Sequence, residues 1–393
     1  MFKNNFKLEL TTNVSSGIGS INKVYGFLRE HNYKKILLIY DKKLFKNSIY
    51  VQSFIKKFKK KIKPKIIFFS GNAEPSYEEL DKNIYNLKNK SQSFYDCIVS
   101  IGGGSAIDFA KGIATLLNNP GKSKQYKGFP TKLNPSTPLI AIPSTAGTGS
   151  EIAYNAVFID LESKLKLGIN TKNNYPVLAI LDPKILANSP KSVILNSGLG
   201  ALVRSIDTLF NKQSNNVSEI FSKHAFKLLF NTLPKFLNNR KNLEHCSKMQ
   251  WGAYLSTAAL LNSSSGPAGQ VAYYLATNHN IPQGTGLGLA ALNFFKKNHE
   301  KGFHKYSELY DLIDKKKVKK LSIKEKSKYV INELFKIFSK NKKFFKKINI
   351  SKQEIEKIAN LVYEQGHVFK KKSNNPVKLT KRDLVKIIRK TVE

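Results

Sequence analysis

Cysteine, tryptophan and acidic residues are all scarce in this chain of 393 residues, which has two Cys, one Trp and 27 Asp plus Glu. Cys97 and Cys246 allow at most one disulfide and supply neither a C-x-x-C pair nor a cysteine metal cage, so both are expected to be reduced and structural. No uninterrupted apolar run approaches the roughly 18 residues of a membrane helix. Stretches such as Ile36 to Tyr40 are soon broken by charge. Met1 to Leu10 mixes Lys and Asn among its apolar residues and lacks the continuous segment of a secretory signal. Together these absences predict a soluble, cytoplasmic protein with no membrane partner.

The chain nevertheless holds 25 Phe, 17 Tyr and 41% hydrophobic residues, too many for a chain that cannot collapse. At roughly 150 residues per domain the length suits two domains. Against the few acids stand 66 Lys plus Arg, for a formal charge of +39. Such a charge attracts anions and nucleic acid. Here it is spread along the whole chain, and the runs Lys56 to Lys65, Lys315 to Lys320 and Lys342 to Lys347 are interleaved with Phe, Val and Ile, as on solvated helix faces. No nucleic-acid module is recognisable. The expectation is a solvated basic surface, no nucleic-acid partner and a small-molecule substrate, for which the charge favours an anion.

The first half alternates strand-like and helix-like stretches, which predicts a parallel sheet with crossover helices. Lys35 to Tyr40, Lys65 to Ser70, Asp96 to Ile101, Leu139 to Pro143 and Val177 to Asp182 read as buried strands. After Asp182-Pro183 helical periodicity takes over, with candidates at Ser218 to Leu237, Met249 to Leu261, Glu325 to Phe338 and Lys352 to Glu364. The expected organisation is an α/β dinucleotide-binding domain over 1–184 and an all-helical domain over 185–393.

Strand Cys97 to Ile101 runs into Gly102-Gly103-Gly104-Ser105 and a helix start at Ala106. Three glycines let backbone approach a ligand, and a helix N-terminus offers free N–H groups and partial positive charge, so a diphosphate is the natural guest. The spacing differs from G-x-G-x-x-G, because Ile107 stands at the last glycine position. A second polar turn, Pro143 to Glu151, carries the hydroxyls of Ser144, Thr145, Thr148 and Ser150 at another strand's carboxyl end, where open α/β sheets bind ligands.

These two segments resemble the iron-containing, or group III, alcohol dehydrogenase family. Gly102, Gly103, Gly104, Ser105, Asp108, Ala110 and Lys111 meet G-G-G-S-x-x-D-x-A-K, and Pro143 to Glu151 meet P-[ST]-T-A-G-T-G-S-E without a gap. Asp41, Asp182-Pro183, Asn262, Gly266 and Asn375-Pro376 extend the likeness from about Phe6 to the C-terminus. The resemblance implies an N-terminal α/β domain holding NAD(P), an all-helical C-terminal domain, a divalent metal in the cleft between them, and a homodimer. It also implies cofactor contacts from Asp41, Gly102, Gly103, Gly104, Ser105, Asp108, Ser144, Thr145, Thr148, Ser150 and Lys166. A carboxylate at Asp41 would accept from the ribose hydroxyls and repel a 2′-phosphate, which favours NAD.

Relatives hold the metal through D-A-L-x-H, H-A-x-x-H and P-H-G. Gly200 and Arg204 occupy the first two ligand positions here, Gly269 the third, and Gln283 the last, with Tyr273 at the second histidine of H-A-x-x-H. The family's fourteen-residue spacing is kept between Gly269 and Gln283, which anchors the register. Of the seven histidines only His279 lies near a motif, and a surface or core role is expected of it. No metal is therefore expected. Metal-free hydride transfer would instead use Arg204 to stabilise charge on the substrate oxygen, Tyr273 to move the proton and Gln283 to orient. A sugar-acid branch of the family also carries Tyr at that position and a stretch like Lys166-Leu-Gly-Ile-Asn170, which suggests a sugar or sugar-acid hydroxyl. The alternative is a catalytically silent NAD-binding relative or partner subunit.

Overall fold

Strands with long apolar runs must be covered on both faces, and the inner strands of this protein's parallel sheet are of that kind. The computed structural model describes residues 6–70, 74–90, 94–187, 189–313, 320–341, 348–368 and 374–393. The basic stretches at 315–319 and 342–347 lie outside the described residues. Two compact units are present, one formed by Leu10–Ser189 with Arg240–Gln250 and the other by Met1–Glu9, Pro190–Asn239 and Trp251–Glu393.

The first unit holds strands β1 (Asn13–Ser16), β2 (Ile36–Asp41), β3 (Lys65–Phe69), β4 (Cys97–Gly102), β5 (Leu139–Pro143), β6 (Asn155–Asp160), β7 (Leu165–Asn170) and β8 (Leu178–Leu181). Its helices are α1 (Lys23–Glu30), α2 (Lys42–Asn47), α3 (Ile49–Ile62), α4 (Tyr77–Lys90), α5 (Gly104–Leu117) and α6 (Pro183–Leu186). Six strands form one sheet in the order β1-β8-β5-β4-β2-β3, every pairing parallel. Alternate residues serve opposite cores. Leu37, Ile39, Ile98 and Ala141 join residues of α4 and α5, and Leu38, Tyr40, Val99 and Ile140 join residues of α1 and α3. The Lys-rich run expected to be a solvated helix face is one: on α3, Lys56, Lys57, Lys59, Lys60 and Lys61 are exposed while Phe54, Ile55 and Phe58 are buried. Cys97 and Cys246 are free and buried.

The hairpin β6–β7 was not signalled by the sequence. Its strands are only half buried, and the left-handed residue after its turn is Lys164 (φ 53°) rather than Gly or Asn. It packs on α5 and α4 through Phe158, a fully buried ring lying 5.4 Å from that of Tyr77, whose hydroxyl donates to Leu167 O at 2.9 Å.

The helical unit holds α7 (Lys191–Phe210), α8 (Asn216–Asn238), α10 (Ala268–His279), α11 (Gln283–Glu300), α12 (Ile323–Lys340), α13 (Lys352–Val368) and α14 (Lys381–Val392). Helix α9 (Leu243–Leu261) starts in the first unit, where Arg240 donates to Ser189 O at 3.0 Å and Gln250 to Asp182 O at 3.3 Å, and ends in the second. Glu9 is tied to the helical unit because its N–H donates to Asn262 Oδ1 at 2.6 Å and its carbonyl accepts from Asn262 Nδ2 at 3.1 Å. Among the described helices α7 alone is long and apolar enough to cross a membrane, and 72% of its apolar window is buried inside the protein, as in a core helix.

Replacing Phe158 by Ala removes the buried ring that packs the hairpin on α5 and α4 and should cost about 3–5 kcal/mol. Urea denaturation followed by circular dichroism checks this, and an unchanged midpoint would show that the hairpin is not packed as described.

Candidate functional site

The strand order places a switch between β2 and β4, since β3 lies outward of β2 while β5 lies on the other side of β4. Crevices at such switches, outside the carboxyl ends of the strands, are where open α/β sheets bind ligands. Register brings those ends level, with Tyr40 opposite Ile101 and Gly102 opposite Pro143. Asp41, the glycine turn and the hydroxyl turn therefore share one edge.

At that edge Gly103 is the N-cap of α5 and no side chain caps the helix; the N–H groups of Ala106 and Ile107 donate to Gly103 O, and those of Gly104 and Ser105 with the positive end of the dipole are left to an anion. The three glycines serve different purposes. A Cβ on Gly102 would come within 2.6 Å of Ala106 Cβ and 3.1 Å of Asp41 Cβ, and one on Gly104 within 2.9 Å of Thr148 Cβ. Those two glycines let the turn pack on itself. Gly103 is partly exposed, and a Cβ there would meet only Thr145, at 3.4 Å, which makes it the glycine a ligand would approach. Gly149 holds the second turn in the left-handed region (φ 70°). Ser150 Oγ donates to Thr148 Oγ1 at 3.1 Å. Ser144 is buried, and its N–H donates to Gly102 O at 2.8 Å, so it joins the two turns.

Asp41 caps α2, its Oδ1 accepting from Lys43 N at 2.7 Å and Leu44 N at 3.0 Å. That arrangement fixes the carboxylate at the strand end and leaves Oδ2 uncommitted among the described residues. Ser105 and Lys166 are brought together by a residue that sequence reasoning missed. Glu74 accepts from Ser105 Oγ at 3.1 Å and from Lys166 Nζ at 3.1 Å, with the lysine side chain only 1% exposed. Its signal was a carboxylate just beyond the end of β3.

Asp108, expected among the cofactor contacts, turns its carboxylate onto β6, accepting from Val157 N at 3.2 Å and lying 3.9 Å from Lys111 Nζ. Burial outweighs the Lys111 charge and the Val157 bond and holds the Asp108 carboxyl above its ordinary range. The residue fastens α5 to the hairpin. The remaining groups (free helix N-terminus, partly exposed Gly103, hydroxyls and Asp41) fit a dinucleotide.

In the helical unit Gly200, aligned with the first metal ligand, faces the start of α11, and α11 packs closely on α10. A Cβ on Gly200 of α7 would lie 3.1 Å from Gly284 Cα at the start of α11, and one on Gly286 would lie 3.3 Å from Ala272 Cα of α10. The donor set does not fit a metal. Gly200 and Gly269 have no donor atom, Arg204 is a fixed cation, and the Gln283 amide is a poor ligand for zinc or iron. The space beside Gly200 is also taken, since even a methyl group there would press on α11. Among the described residues no three His, Cys, Asp or Glu are grouped to hold a metal.

Arg204 Nη1 donates to Thr257 Oγ1 at 3.1 Å. Tyr273 is exposed on α10, and Gln283 opens α11. His279 lies with Nε2 2.6 Å from Glu354 Oε1, which also accepts from the Tyr274 hydroxyl at 3.0 Å. Three residues from Arg204 lies Asp207, set against Gly266 with Oδ1 3.0 Å from where a Cβ would sit. Burial raises the Asp207 carboxyl to about 7, opposed by a hydrogen bond from the Gly266 backbone and by the charge of Arg204.

In the unfolded chain an Asp titrates near 3.9. Between that value and about 7 the folded state therefore binds the extra proton, and Asp207's contribution to stability is lost as pH rises through about 7. Asp207→Asn should accordingly stabilise the protein more at pH 8 than at pH 5. Equal shifts in denaturation midpoint at the two pH values would contradict the burial.

The sequence matches the family description "iron-containing alcohol dehydrogenase" over residues 11–183 and the family's C-terminal domain over 194–392. It is 27% identical over 268 residues to the NAD-dependent methanol dehydrogenase of Bacillus methanolicus, covering 68% of this chain and 69% of that one. To the sulfoacetaldehyde reductase of Bilophila wadsworthia it is 26% identical over 248 residues, 63% of each chain. The crystal structure of a 1,3-propanediol oxidoreductase superposes with a TM-score of 0.87 at 22% identity, over 99% of this chain and all of that one. The two family domains account for nearly the whole sequence, and the chain belongs to the iron-containing alcohol dehydrogenase family.

Proposed function

We propose that this protein is an NAD-dependent oxidoreductase that interconverts an alcohol and an aldehyde or ketone without a catalytic metal. One asymmetry carries the reading. The glycine and hydroxyl turns suited to a dinucleotide are kept in full, while the four ligand positions hold Gly200, Arg204, Gly269 and Gln283. Asp41 at the end of β2 favours NAD over NADP. Bound coenzyme would supply or accept the hydride. The chain's own residues then position the substrate and handle its charge and proton.

Arg204 places a permanent positive charge where the substrate oxygen becomes negative, the task a Lewis acid performs in metal-dependent enzymes. Its bond to Thr257 holds the guanidinium in one orientation. The Tyr273 hydroxyl gives the proton to the oxygen in reduction and takes it in oxidation. The Gln283 amide orients that oxygen. The charge of +39 and the sulfoacetaldehyde named for one relative support a small anionic substrate, a sugar acid among the options. The reading extends to a soluble cytoplasmic homodimer with no nucleic-acid partner.

Initial rates with NADH and a panel of neutral and anionic aldehydes, measured in EDTA, test the reading. Tyr273→Phe should lower kcat by about 10² to 10⁴ and Arg204→Met by about 10² to 10³, with EDTA without effect. Loss of activity in EDTA would return the protein to metal chemistry. NADH binding without turnover of any substrate would favour the silent subunit.

A further inference from the structure

The helical unit contains a cavity of about 680 Å³ between the end of α11 and the start of α12, lined by residues that the proposed reaction does not use. That volume lies within the roughly 300–1,000 Å³ of small-molecule sites. Lys296 enters it from α11 and Lys324 and Lys328 from α12. Among the described residues none of these three ammoniums makes an ion pair, although their neighbours do: Lys297 lies 3.2 Å and Lys301 2.9 Å from Asp383, and Lys336 lies 2.6 Å from Glu333. The one carboxylate in the lining, Glu300, is 3.5 Å from Lys297. A lysine-rich composition alone would scatter unpaired cations over convex surface. Here three line one concavity.

Two histidines complete the polar wall. His299 Nδ1 lies 2.9 Å from the Oγ of buried Ser327 and 3.2 Å from His304 Nδ1, which leaves the Nε2 atom of each ring uncommitted among the described residues. Burial pulls the His299 pKa down, and the charges of His304, Lys324 and Lys328 add to the effect, so these cations act on a common space. The same charges decide against a metal dication between the imidazoles. Buried Ile331 and half-buried Phe335 provide an apolar wall.

We infer that this cavity binds a phosphorylated small molecule, with the phosphate held by Lys296, Lys324, Lys328 and the histidines and an apolar part against Phe335. The site is separate from the glycine turn and does not depend on the redox reading.

Phenyl phosphate and inorganic phosphate serve as probes in calorimetric titrations of the full chain, with and without saturating NADH to fill the coenzyme turn. Phenyl phosphate should bind once per chain in both conditions, more tightly than phosphate, and Phe335→Ala should remove that preference. Losing two charge-assisted contacts in Lys324→Gln/Lys328→Gln should weaken binding at least about tenfold. A control pair on α3, Lys59→Gln/Lys60→Gln, removes the same net charge and should change nothing. Absence of binding, or equal weakening in the two double variants, would overturn the assignment and leave only general attraction to a basic protein.

Discussion

A lysine ammonium shut off from water organises the coenzyme edge of this protein. Lys111 is fully buried in the middle of α5, and its Nζ donates to Ala153 O at 2.6 Å and Asn155 O at 2.9 Å, with Asp108 at 3.9 Å. Those carbonyls lie between the hydroxyl turn and β6, while α5 itself begins at the glycine turn. One side chain thus fixes α5 to the segment that follows the hydroxyl turn. Burial pulls the Lys111 pKa down against the charges of Asp108 and Glu151, and the two backbone carbonyls with the nearby carboxylate offset the cost of burying the ammonium.

The helical unit answers to a different constraint, close approach. Helix α11 meets α7 at Gly200 and Gly284 and α10 at Gly286 and Ala272, where an added Cβ would lie 3.1 and 3.3 Å from the facing Cα and the neighbour would have to give by a few tenths of an ångström. Arg204, one turn along α7 from Gly200, is held by Thr257. The loss of the ligands and the packing of the helices are consistent with one another.

Much of this was legible in the sequence. The buried strands could be read because their apolar runs have no polar alternation, and the glycine and hydroxyl turns because their spacing is specific. The hairpin could not, since its half-exposed strands and Lys164 turn carry no signature. β1 was missed because Asn-Val-Ser-Ser is polar. Asp108 read as a ligand because a motif records that a residue recurs, not which way its carboxylate faces. Glu74 escaped because its role exists only once Ser105 and Lys166, distant in sequence, are folded around it. Asn262 and Asn375 matched the family pattern for structural reasons. Asn262 exchanges amide bonds with the backbone of Glu9, and Asn375 exchanges them with Asn298.

The central claim is that the coenzyme site survives in a chain whose metal site does not. Elemental analysis of NADH-saturated protein, purified without chelators and supplied with zinc and iron during expression, tests it most directly. The account predicts bound NADH with no stoichiometric metal. One equivalent of zinc or iron per chain would contradict it and would mean that donors other than those at positions 200, 204, 269 and 283 hold the ion.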